Sequence, residues 1–384
     1  MVMIKLSRKK YRRRGASQRA GMKITKVESI VAAIPFAATG SAGRIAGQAA
    51  PALQMVLVRI ETDAGLVGWG EAFGHAAIHA TRAALQTMVA PLLIGRDARD
   101  IVGIGADLER KLHLFGRSGP VMFAISGVDI ALWDIAGKAA GLPLYRLLGG
   151  AGPTHLRAYS SLLRCTGPDA VAACCREALA MGVRDVKLHE ITAEPVRAAR
   201  ETLGPEAALM LDTNCPWTVA EAIEMVQVLA PFRLAWLEEP VWPPEDHAGL
   251  AQVRAAGSRT SAGENASGLL DFLSLFRAGA LDVAQPSVTK IGGISGMRRV
   301  MALAEAHGVD VVPHCGYLGP GFLATLHLIA AMPRPPLVER LHLRLQALPF
   351  GDLTEISDGH LRVPQGPGLG CDPDPDVIRR YAVP

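Results

Sequence analysis

The amino-acid sequence predicts an α/β protein in which a small α+β domain precedes a closed parallel (β/α) barrel. The chain has 384 residues, which is more than one compact core usually holds. Before Pro153, strand-like segments come first and helix-like segments follow them. After Pro153, strand-like and helix-like segments alternate regularly. With 49% hydrophobic and 20% charged residues, the composition is that of a folded globular protein.

Residues 1–21 form a basic segment. It contains eight lysines and arginines and no acid, so the rest of the chain is net negative although the whole chain carries +4. This distribution argues against nucleic acid as a partner of the folded body. The segment also lacks the apolar stretch of a secretory signal. We expect a disordered extension ahead of Met22; the alternatives are a targeting arm and an arm that binds anionic surfaces.

Residues 22–150 are expected to form the α+β domain. The segments KITKVESIVAAI, QMVLVRIET and GLVGWGE alternate in the manner of short antiparallel strands. From Ala77 to Gly141 the apolar residues recur at helical spacing. No charge-free run of about 18 apolar residues occurs, so neither a membrane span nor a membrane partner is expected.

Residues 151–342 are expected to form the barrel, and residues 343–384 a C-terminal segment that folds back toward the first domain. Amphipathic segments such as VAEAIEMVQVLA separate eight strand candidates. In chain order the candidates are LRAYSS, DVKLHE, ALMLDTN, LAWLEEP, RTSAGEN, LDVAQPS, VDVVPHC and PLVERL. Eight strands with intervening helices favour a closed barrel over an open sheet.

A polar residue stands near the C-terminal end of each strand candidate, and successive members of this series are 23 to 27 residues apart. The series is Ser160, Lys187, Asp212, Glu238, Glu264, Ser287, His314 and Glu339. Barrel enzymes place their chemistry at the carboxyl ends of their strands. The spacing therefore predicts an active site at this end of the barrel.

Asp212, Glu238 and Glu264 follow three consecutive strand candidates, so their carboxylates can converge on one point. Three carboxylates in a half-buried pocket repel one another strongly unless a cation lies between them. An all-oxygen ligand set suits Mg²⁺. The sequence thus predicts a magnesium site, with solvated loop acids as the alternative interpretation.

Lys187 and His189 are two residues apart on one strand, so both can face the barrel mouth. Two adjacent basic groups lower each other's pKa, which keeps a proton-abstracting base neutral. His314 would lie across the mouth, as a second base or as the acid that protonates a leaving hydroxyl. The alternatives are a salt-bridged lysine and histidines without a chemical role.

A protonated Glu339 would donate a hydrogen bond to a substrate carboxylate, and a salt bridge with Arg340 is the alternative.

The six cysteines form no Cys-x-x-Cys pair and no zinc-like cluster, which is typical of a reduced, cytoplasmic protein. Nucleophilic catalysis by Cys315 is not expected, because strand neighbours face opposite ways. The segment KIGGISG lacks the glycine spacing of a dinucleotide site.

Several segments resemble the mandelate racemase and muconate lactonising enzyme group of the enolase superfamily. They are SGVDIALWDIAGKAAGLPLYRLLGG and the strand-end series LDTN, WLEEP, AGEN, KIGG and VERL, within residues 22–370. The resemblance implies a capping domain over a modified TIM (β/α) barrel, and Mg²⁺ held by Asp212, Glu238 (not Glu239) and Glu264. It further implies removal of the proton α to a carboxylate through an enediolate. Members are usually dimers or octamers, so a homo-oligomer is expected.

The chain departs from this group in two places. Where the group commonly has Lys-x-Lys, this chain has Lys187 and His189, so His189 occupies the position of the base. The racemase-like subgroup has an Asp where this chain has Ser287, so His314 lacks its usual carboxylate partner. Racemisation needs a competent group on each face, which favours dehydration of an acid sugar or other hydroxy acid. A racemase or epimerase of a 2-hydroxy acid and a non-catalytic barrel are the alternatives.

Two loops of the capping domain select the substrate in this group, and they correspond here to residues 36–48 and 72–80. Arg44, His75 and His79 are the residues in these loops that can bind a carboxylate or hydroxyl groups. Ser160, Asn214 and Lys290 are the further expected substrate-binding residues.

Overall fold

The computed structural model describes residues 21–41, 44–45 and 48–383, and only the backbone of residues 44, 45, 48 and 49. Residues 1–20 of the basic extension lie outside the described residues. The N-terminal part contains a three-stranded antiparallel meander and a small hairpin. Its strands are β1 (Ile24–Ala37), β2 (Arg44–Ile45), β3 (Gln48–Ala49), β4 (Ala52–Thr62) and β5 (Val67–Ala72).

Helices cover one face of this sheet, as the helical spacing predicts. They are a 3₁₀ turn (His75–Ala77), α1 (Ile78–Ala84), a π turn (Leu85–Val89), a second 3₁₀ turn (Ala90–Leu92), α2 (Ile101–Lys111), α3 (Gly119–Ala140) and α4 (Leu144–Leu147). Helix α3 is long and apolar enough to cross a membrane, but 72% of its apolar window is buried inside the protein, mainly against the sheet. It is therefore the core helix of this domain.

Strand β5 and helix α3 approach each other closely because glycines face the contact. A Cβ atom at Gly70 would lie 1.9 Å from the carbonyl oxygen of Gly127, far inside van der Waals contact. We expect Gly70→Ala to lower the free energy of unfolding by about 3 kcal/mol or more, because the helix must move off the sheet. Chemical denaturation measures this change.

Gly105, in the middle of α2, is the matched control for that substitution. A Cβ there would meet nothing within 4 Å. Gly105→Ala should raise the free energy of unfolding by about 1 kcal/mol through helix propensity alone. Equal effects of the two substitutions would contradict the packing explanation.

The barrel contains the eight predicted strands, each followed in the chain by a helix or loop. The strands are β6 (His155–Ser161), β7 (Val186–Leu188), β8 (Leu209–Asp212), β9 (Trp236–Glu238), β10 (Thr260–Ala262), β11 (Val283–Ala284), β12 (Asp310–Val311) and β13 (Val338–Leu341). The helices are α5 (Pro168–Ala180), α6 (Ala193–Leu203), α7 (Val219–Leu229), a 3₁₀ turn (Ala230–Phe232), α8 (His247–Ala255), α9 (Leu269–Arg277), α10 (Gly293–His307) and α11 (Pro320–Ala330).

All eight strands run parallel in the order β12–β11–β10–β9–β8–β7–β6–β13. The sheet is curled, and the described residues show no ladder between its two end strands, β12 and β13. Near that gap, the Cys315 backbone N–H donates a hydrogen bond to Oε2 of Glu339 at 2.7 Å. The barrel is thus a modified one, as the sequence resemblance implies, and not a fully hydrogen-bonded cylinder.

The C-terminal residues contact both parts of the molecule. Strand β14 (Arg344–Leu345) pairs with β1, a 3₁₀ turn (Gly351–Thr354) follows, and β15 (His360–Arg362) pairs antiparallel with β6. The chain ends with α12 (Pro375–Tyr381) and β16 (Ala382–Val383), and β16 also pairs with β1. These contacts attach the capping sheet to the barrel. Ser41, from the first capping loop, bridges Cys165, and His75, from the second, contacts Gly316.

Candidate active site

Three carboxylates meet at the C-terminal ends of β8, β9 and β10. Asp212 and Glu238 are the last residues of adjacent strands and are paired in the ladder, and Glu264 lies two residues beyond β10. One oxygen atom from each lies within 4.8 Å of the other two. Parallel strands that end at one edge of the sheet bring these side chains together. The arrangement fits an oxygen-ligated divalent cation.

Neighbouring donors orient two of these carboxylates. Oδ1 of Asp212 accepts hydrogen bonds from the backbone N–H and from Nδ2 of Asn214, both at 3.0 Å. Oε2 of Glu238 accepts from Nε1 of Trp236 at 3.1 Å and from Nε2 of Gln285 at 2.7 Å. Each acid therefore has one oxygen held by these donors, while its other oxygen lies beside Nζ of Lys187. Hydrogen bonds of this kind orient carboxylates that bind a metal ion.

The nearby positive charges shift the pKa values of Asp212 and Glu238 in opposite directions. Burial and the Asp212 carboxylate raise the pKa of Glu238 to about 8. Despite burial, Lys187 and His189 lower the pKa of Asp212 to about 2. The protein's own cations thus leave Glu238 short of compensating charge. A divalent cation between the acids would supply that charge, so the donor set and its electrostatics both fit Mg²⁺.

Lys187 is fully buried beneath the acids. Its Nζ lies 2.8 Å from Oε1 of Glu339, 2.9 Å from Oε1 of Glu238 and 3.3 Å from Oδ2 of Asp212. Burial alone would lower the pKa of Lys187, but these carboxylates outweigh it and raise that pKa well above its usual value. The expectation that Lys187 is kept neutral beside a second base is therefore wrong, and its ammonium group is a fixed positive charge.

His189 faces the cavity on the β7 side. Its Nδ1 lies 2.5 Å from the carbonyl oxygen of Leu162, so this nitrogen carries the proton and Nε2 has the free lone pair in the neutral ring. Nε2 lies 3.2 Å from Oδ2 of Asp212. Burial lowers the pKa of His189, but the Asp212 carboxylate outweighs it and the net shift is upward. This direction is also opposite to the sequence-based expectation, since Asp212 outweighs Lys187.

Glu339 differs from both sequence interpretations. Burial alone would raise its pKa, but Lys187 and the other nearby positive charges lower it, so the carboxylate is ionised and not a hydrogen-bond donor. Arg340 does not pair with it, because its guanidinium lies 2.7 Å from Oε1 of Glu355 instead. Glu339 holds Lys187 and the Cys315 backbone in place.

His314 lies at the other end of the acidic triad. Its Nε2 is 2.7 Å from Oε2 of Glu264, while its buried Nδ1 has no hydrogen-bond partner among the described residues. The hydroxyl of Ser287 lies 3.3 Å from the Tyr317 hydroxyl and from Oγ1 of Thr289. Ser287 therefore does not orient the imidazole of His314, as the sequence departure predicts.

A cavity of about 780 Å³ opens over these groups. Its lining includes His189, Asn214, Glu264 and His314, with His75 from the capping domain. Burial, Lys290 and His314 lower the pKa of His75 to about 4, so its ring is neutral. Its Nε2 lies 3.0 Å from the carbonyl oxygen of Gly316. The predicted substrate-binding residues Asn214 and His75 therefore reach the cavity.

Other predicted substrate-binding residues lie elsewhere. Oγ of Ser160 points to His342 at 3.4 Å, and the neighbouring Ser161 lines the cavity instead. Lys290 lies behind Glu264, where its Nζ donates to the Glu264 carbonyl oxygen at 3.0 Å. His79 is exposed and is not part of the cavity lining. The Arg44 side chain is outside the described residues.

Sequence reasoning missed several cavity residues. They are Phe73, Ser161, Leu163, Arg164, Cys165, Thr213, Cys215, Trp242 and Asn265. Most lie in the loops that follow the strands. The position of those loops after each strand end was a usable signal, but the direction of each side chain was not visible in the sequence.

Family comparison agrees with this geometry. Residues 22–149 match the family described as mandelate racemase / muconate lactonizing enzyme, N-terminal domain. Residues 170–377 match the family described as enolase C-terminal domain-like. The chain belongs to the enolase superfamily. The N-terminal match places it in the mandelate racemase and muconate lactonizing enzyme group, which confirms the resemblance seen in the motifs.

Curated enolase-superfamily relatives are acid-sugar enzymes. The chain is 35% identical to D-galactarolactone cycloisomerase of Agrobacterium fabrum, with 86% of this chain and 91% of that protein covered. It is 36% identical to 3,6-anhydro-alpha-L-galactonate cycloisomerase of Streptomyces coelicolor, covering 86% and 92%. It is 32% identical to arabinonate dehydratase of Saccharolobus solfataricus, covering 88% and 93%. An enzyme is thus supported, of lyase or isomerase type.

Solved structures of the superfamily have the same fold. The 3,6-anhydro-D-galactonate cycloisomerase from Zobellia galactanivorans matches with a TM-score of 0.80 and 29% identity, covering 94% of this chain and all of that one. A mandelate racemase/muconate lactonizing protein from Paracoccus denitrificans, complexed with magnesium, matches with a TM-score of 0.82 and 29% identity, covering 94% and 98%. The expected architecture of capping domain and modified barrel is confirmed.

Proposed function

We propose that this enolase-superfamily member catalyses β-elimination from an acid sugar: the proton α to the carboxylate is removed, and an oxygen on the β-carbon leaves. The observation that carries the proposal is the placement of two imidazoles at opposite ends of the acidic triad. His189 contacts Asp212 and His314 contacts Glu264, and both rings line one cavity. Elimination needs a base for the α-proton and an acid for the leaving oxygen.

His189 is the proposed base. Its Nδ1–H is held by the Leu162 carbonyl, which leaves Nε2 to accept the α-proton. Lys187 is a poor alternative, since its Nζ is enclosed by three carboxylates and is not part of the cavity lining. The Lys187 ammonium instead holds the acids at a fixed separation and limits their mutual repulsion.

His314 is the proposed acid. Its Nε2 is the nitrogen that faces Glu264 and the cavity, so a proton there can pass to a leaving oxygen. Its Nδ1 makes no hydrogen bond among the described residues, so no carboxylate behind the ring, at Nδ1, strengthens Nε2 as a base. This asymmetry between the two imidazoles favours elimination over racemisation, which requires a base on each face.

Asp212, Glu238 and Glu264 are the proposed ligands of Mg²⁺. The cation would bind the substrate carboxylate and stabilise the negative charge that develops there as the α-proton leaves. Two solved relatives contain magnesium.

The leaving oxygen decides the reaction type. A leaving hydroxyl gives water and, after tautomerisation, a 2-keto-3-deoxy acid, which is dehydration. A leaving ring oxygen stays attached to the substrate and gives an isomer. Dehydration is the main proposal, and cycloisomerisation is the second candidate because two relatives with 35% and 36% identity are cycloisomerases.

A substrate screen tests the proposal. Mono- and diacid sugars, their lactones and anhydro-sugar acids are incubated with the protein and Mg²⁺. Semicarbazone formation detects 2-keto-3-deoxy acids, and proton NMR detects isomers without loss of water. We expect one class of acid sugar to react. Incorporation of deuterium into recovered substrate in D₂O without elimination would instead indicate a racemase or epimerase, and no exchange at all would indicate a non-catalytic barrel.

Arg164 is the proposed contact for the distal end of the substrate. Its Nε donates to the His189 carbonyl oxygen at 2.8 Å, and the side chain lines the cavity. A guanidinium there can bind a second carboxylate. We expect Arg164→Gln to raise KM for a diacid sugar by about tenfold or more, with a smaller change for the matching monoacid.

Arg184→Gln is the matched control, because Arg184 is exposed and is not part of the cavity lining. It should leave both KM values unchanged. Equal losses for diacid and monoacid in the Arg164 variant would mean that Arg164 only positions His189.

We also propose a cytoplasmic homo-oligomer, either a dimer or an octamer. Val102, Leu114 and Phe115 support assembly, since 75%, 79% and 65% of each is exposed on the capping domain. The six cysteines are free, as expected in a reducing compartment. Light scattering of the purified protein measures the assembly state.

A further inference from the structure

Two cysteines contact each other at the edge of the cavity. Cys165 lies in the loop after β6 and lines the cavity, and Cys174 is buried in α5. Their Sγ atoms are 3.8 Å apart. The two sulfur atoms are therefore in contact, and a disulfide requires them to approach to about 2.0 Å.

The capping domain is attached at this cysteine pair. The Cys174 thiol donates to the Thr39 carbonyl oxygen at 3.0 Å, and the Thr166 N–H donates to the Gly40 carbonyl oxygen at 3.1 Å. Ser41 forms a β-bridge with Cys165. A Cβ at Gly40 would lie 3.2 Å from the sulfur of Cys174, so the backbone packs directly on the thiol. Thr39–Ser41 is the start of the first capping loop.

The same pair is one contact away from the proposed base. The Cys165 backbone N–H donates to Oε1 of Glu190 at 2.8 Å, and Glu190 follows His189 in the chain. Arg164, which precedes Cys165, donates to the His189 carbonyl oxygen at 2.8 Å. A movement of the Cys165 backbone or side chain can therefore shift both the first capping loop and the end of β7, next to His189.

We propose that Cys165 and Cys174 form a reversible disulfide in response to hydrogen peroxide, and that this bond loosens the attachment of Thr39–Ser41 to helix α5 and to the loop after β6. The Cys174 sulfur then no longer donates a proton to the Thr39 carbonyl oxygen. In a reducing compartment such bonds are transient and sense oxidants.

The chemistry needs only hydrogen peroxide as oxidant. The Cys165 sulfur, which the cavity exposes, attacks the O–O bond and becomes a sulfenic acid, and its thiol proton leaves with the released hydroxide as water. The Cys174 sulfur then displaces the sulfenic hydroxyl, giving the disulfide and a second water. Two electrons pass from the thiols to the peroxide. The contact between the two thiols lowers the pKa of Cys174 and raises the pKa of Cys165, so the thiolate of the pair is on Cys174, which suits this displacing role.

Peptide mass measures the bond directly. Cleavage after Arg164 and Arg176 releases CTGPDAVAACCR, which contains Cys165, Cys174 and Cys175. After hydrogen peroxide treatment and alkylation of the remaining thiols, we expect this peptide to contain one internal disulfide, and thiol reductant should remove it. Cys175→Ala is the matched control: it should still form the bond, whereas Cys165→Ala and Cys174→Ala should not.

Two further measurements test whether the disulfide loosens the attachment of Thr39–Ser41. Amide hydrogen exchange of the Thr166 N–H, which is independent of any enzymatic activity, should be faster in the oxidised protein. With a substrate found in the screen, KM should rise about fivefold or more on oxidation and return on reduction, in the wild type and in Cys175→Ala but not in Cys174→Ala. A peptide without the bond overturns the proposal, as does a bond that leaves exchange at Thr166 unchanged.

Discussion

The Glu238→Gln enzyme is expected to lose about a thousandfold or more in turnover, together with its affinity for Mg²⁺. Glu238 contributes one of three carboxylates whose oxygens lie within 4.8 Å of each other. Glutamine keeps the size of the side chain but removes the negative charge and places an amide beside the Lys187 ammonium, now 2.9 Å from Oε1. Calorimetric titration with Mg²⁺ after chelator treatment should show affinity reduced by more than about a hundredfold.

Glu239→Gln is the control with the same change of charge. The backbone turns at Glu239 with φ of 44°, and Oε2 of Glu239 accepts from Nδ2 of Asn265 at 2.7 Å. Glu239 is not one of the three acids whose oxygens converge within 4.8 Å. Burial and the nearby acids raise the pKa of Glu239 well above its usual value, and glutamine keeps the size of the side chain. We expect near-normal Mg²⁺ affinity. Equal loss of affinity in both variants, or normal affinity in Glu238→Gln, would rule out the proposed ligand set.

The His189→Asn enzyme is expected to lose about a hundredfold to ten-thousandfold in α-proton exchange and in turnover, with its Mg²⁺ affinity largely kept. Asparagine removes the Nε2 lone pair that lies 3.2 Å from Asp212 and leaves the three acids in place. Deuterium incorporation from D₂O, measured by NMR on a substrate from the screen, reports proton removal separately from loss of the leaving group.

His314→Asn provides the contrast for that experiment. If His314 protonates only the leaving oxygen, this variant keeps α-proton exchange while elimination falls. Circular dichroism should show that both variants are folded. Retained exchange in His189→Asn would transfer the role of base to Lys187, and loss of exchange in both variants would favour a two-base racemase.

The acids and the barrel were predictable because their signals are local. Each strand–helix unit has nearly the same length, so the strand-end series from Ser160 to Glu339 follows directly from counting residues. Asp212 and Glu238 are the last residues of β8 and β9, as that counting predicts. The family motifs are equally local.

The directions of the side chains and the protonation states of the buried groups were less predictable from the sequence. A one-residue difference in phase decides whether Ser160 or Ser161 lines the cavity, and sequence spacing does not specify that phase. Lys187 and His189 were expected to lower each other's pKa, since they are neighbours in the chain. Glu339, from a strand that closes onto β6 from the other side, adds a third carboxylate to Lys187.

The sequence by itself determined the fold class, the acidic triad and the superfamily, because strand period, strand-end spacing and motif identity are properties of short segments. Only the tertiary structure decided which basic group is a fixed charge, which carboxylate each imidazole contacts, and that Cys165 lies against Cys174. The physical reason is that electrostatic interactions and sulfur contacts depend on distance in space. Buried groups take their protonation state from every charge packed around them, including those far away in the chain.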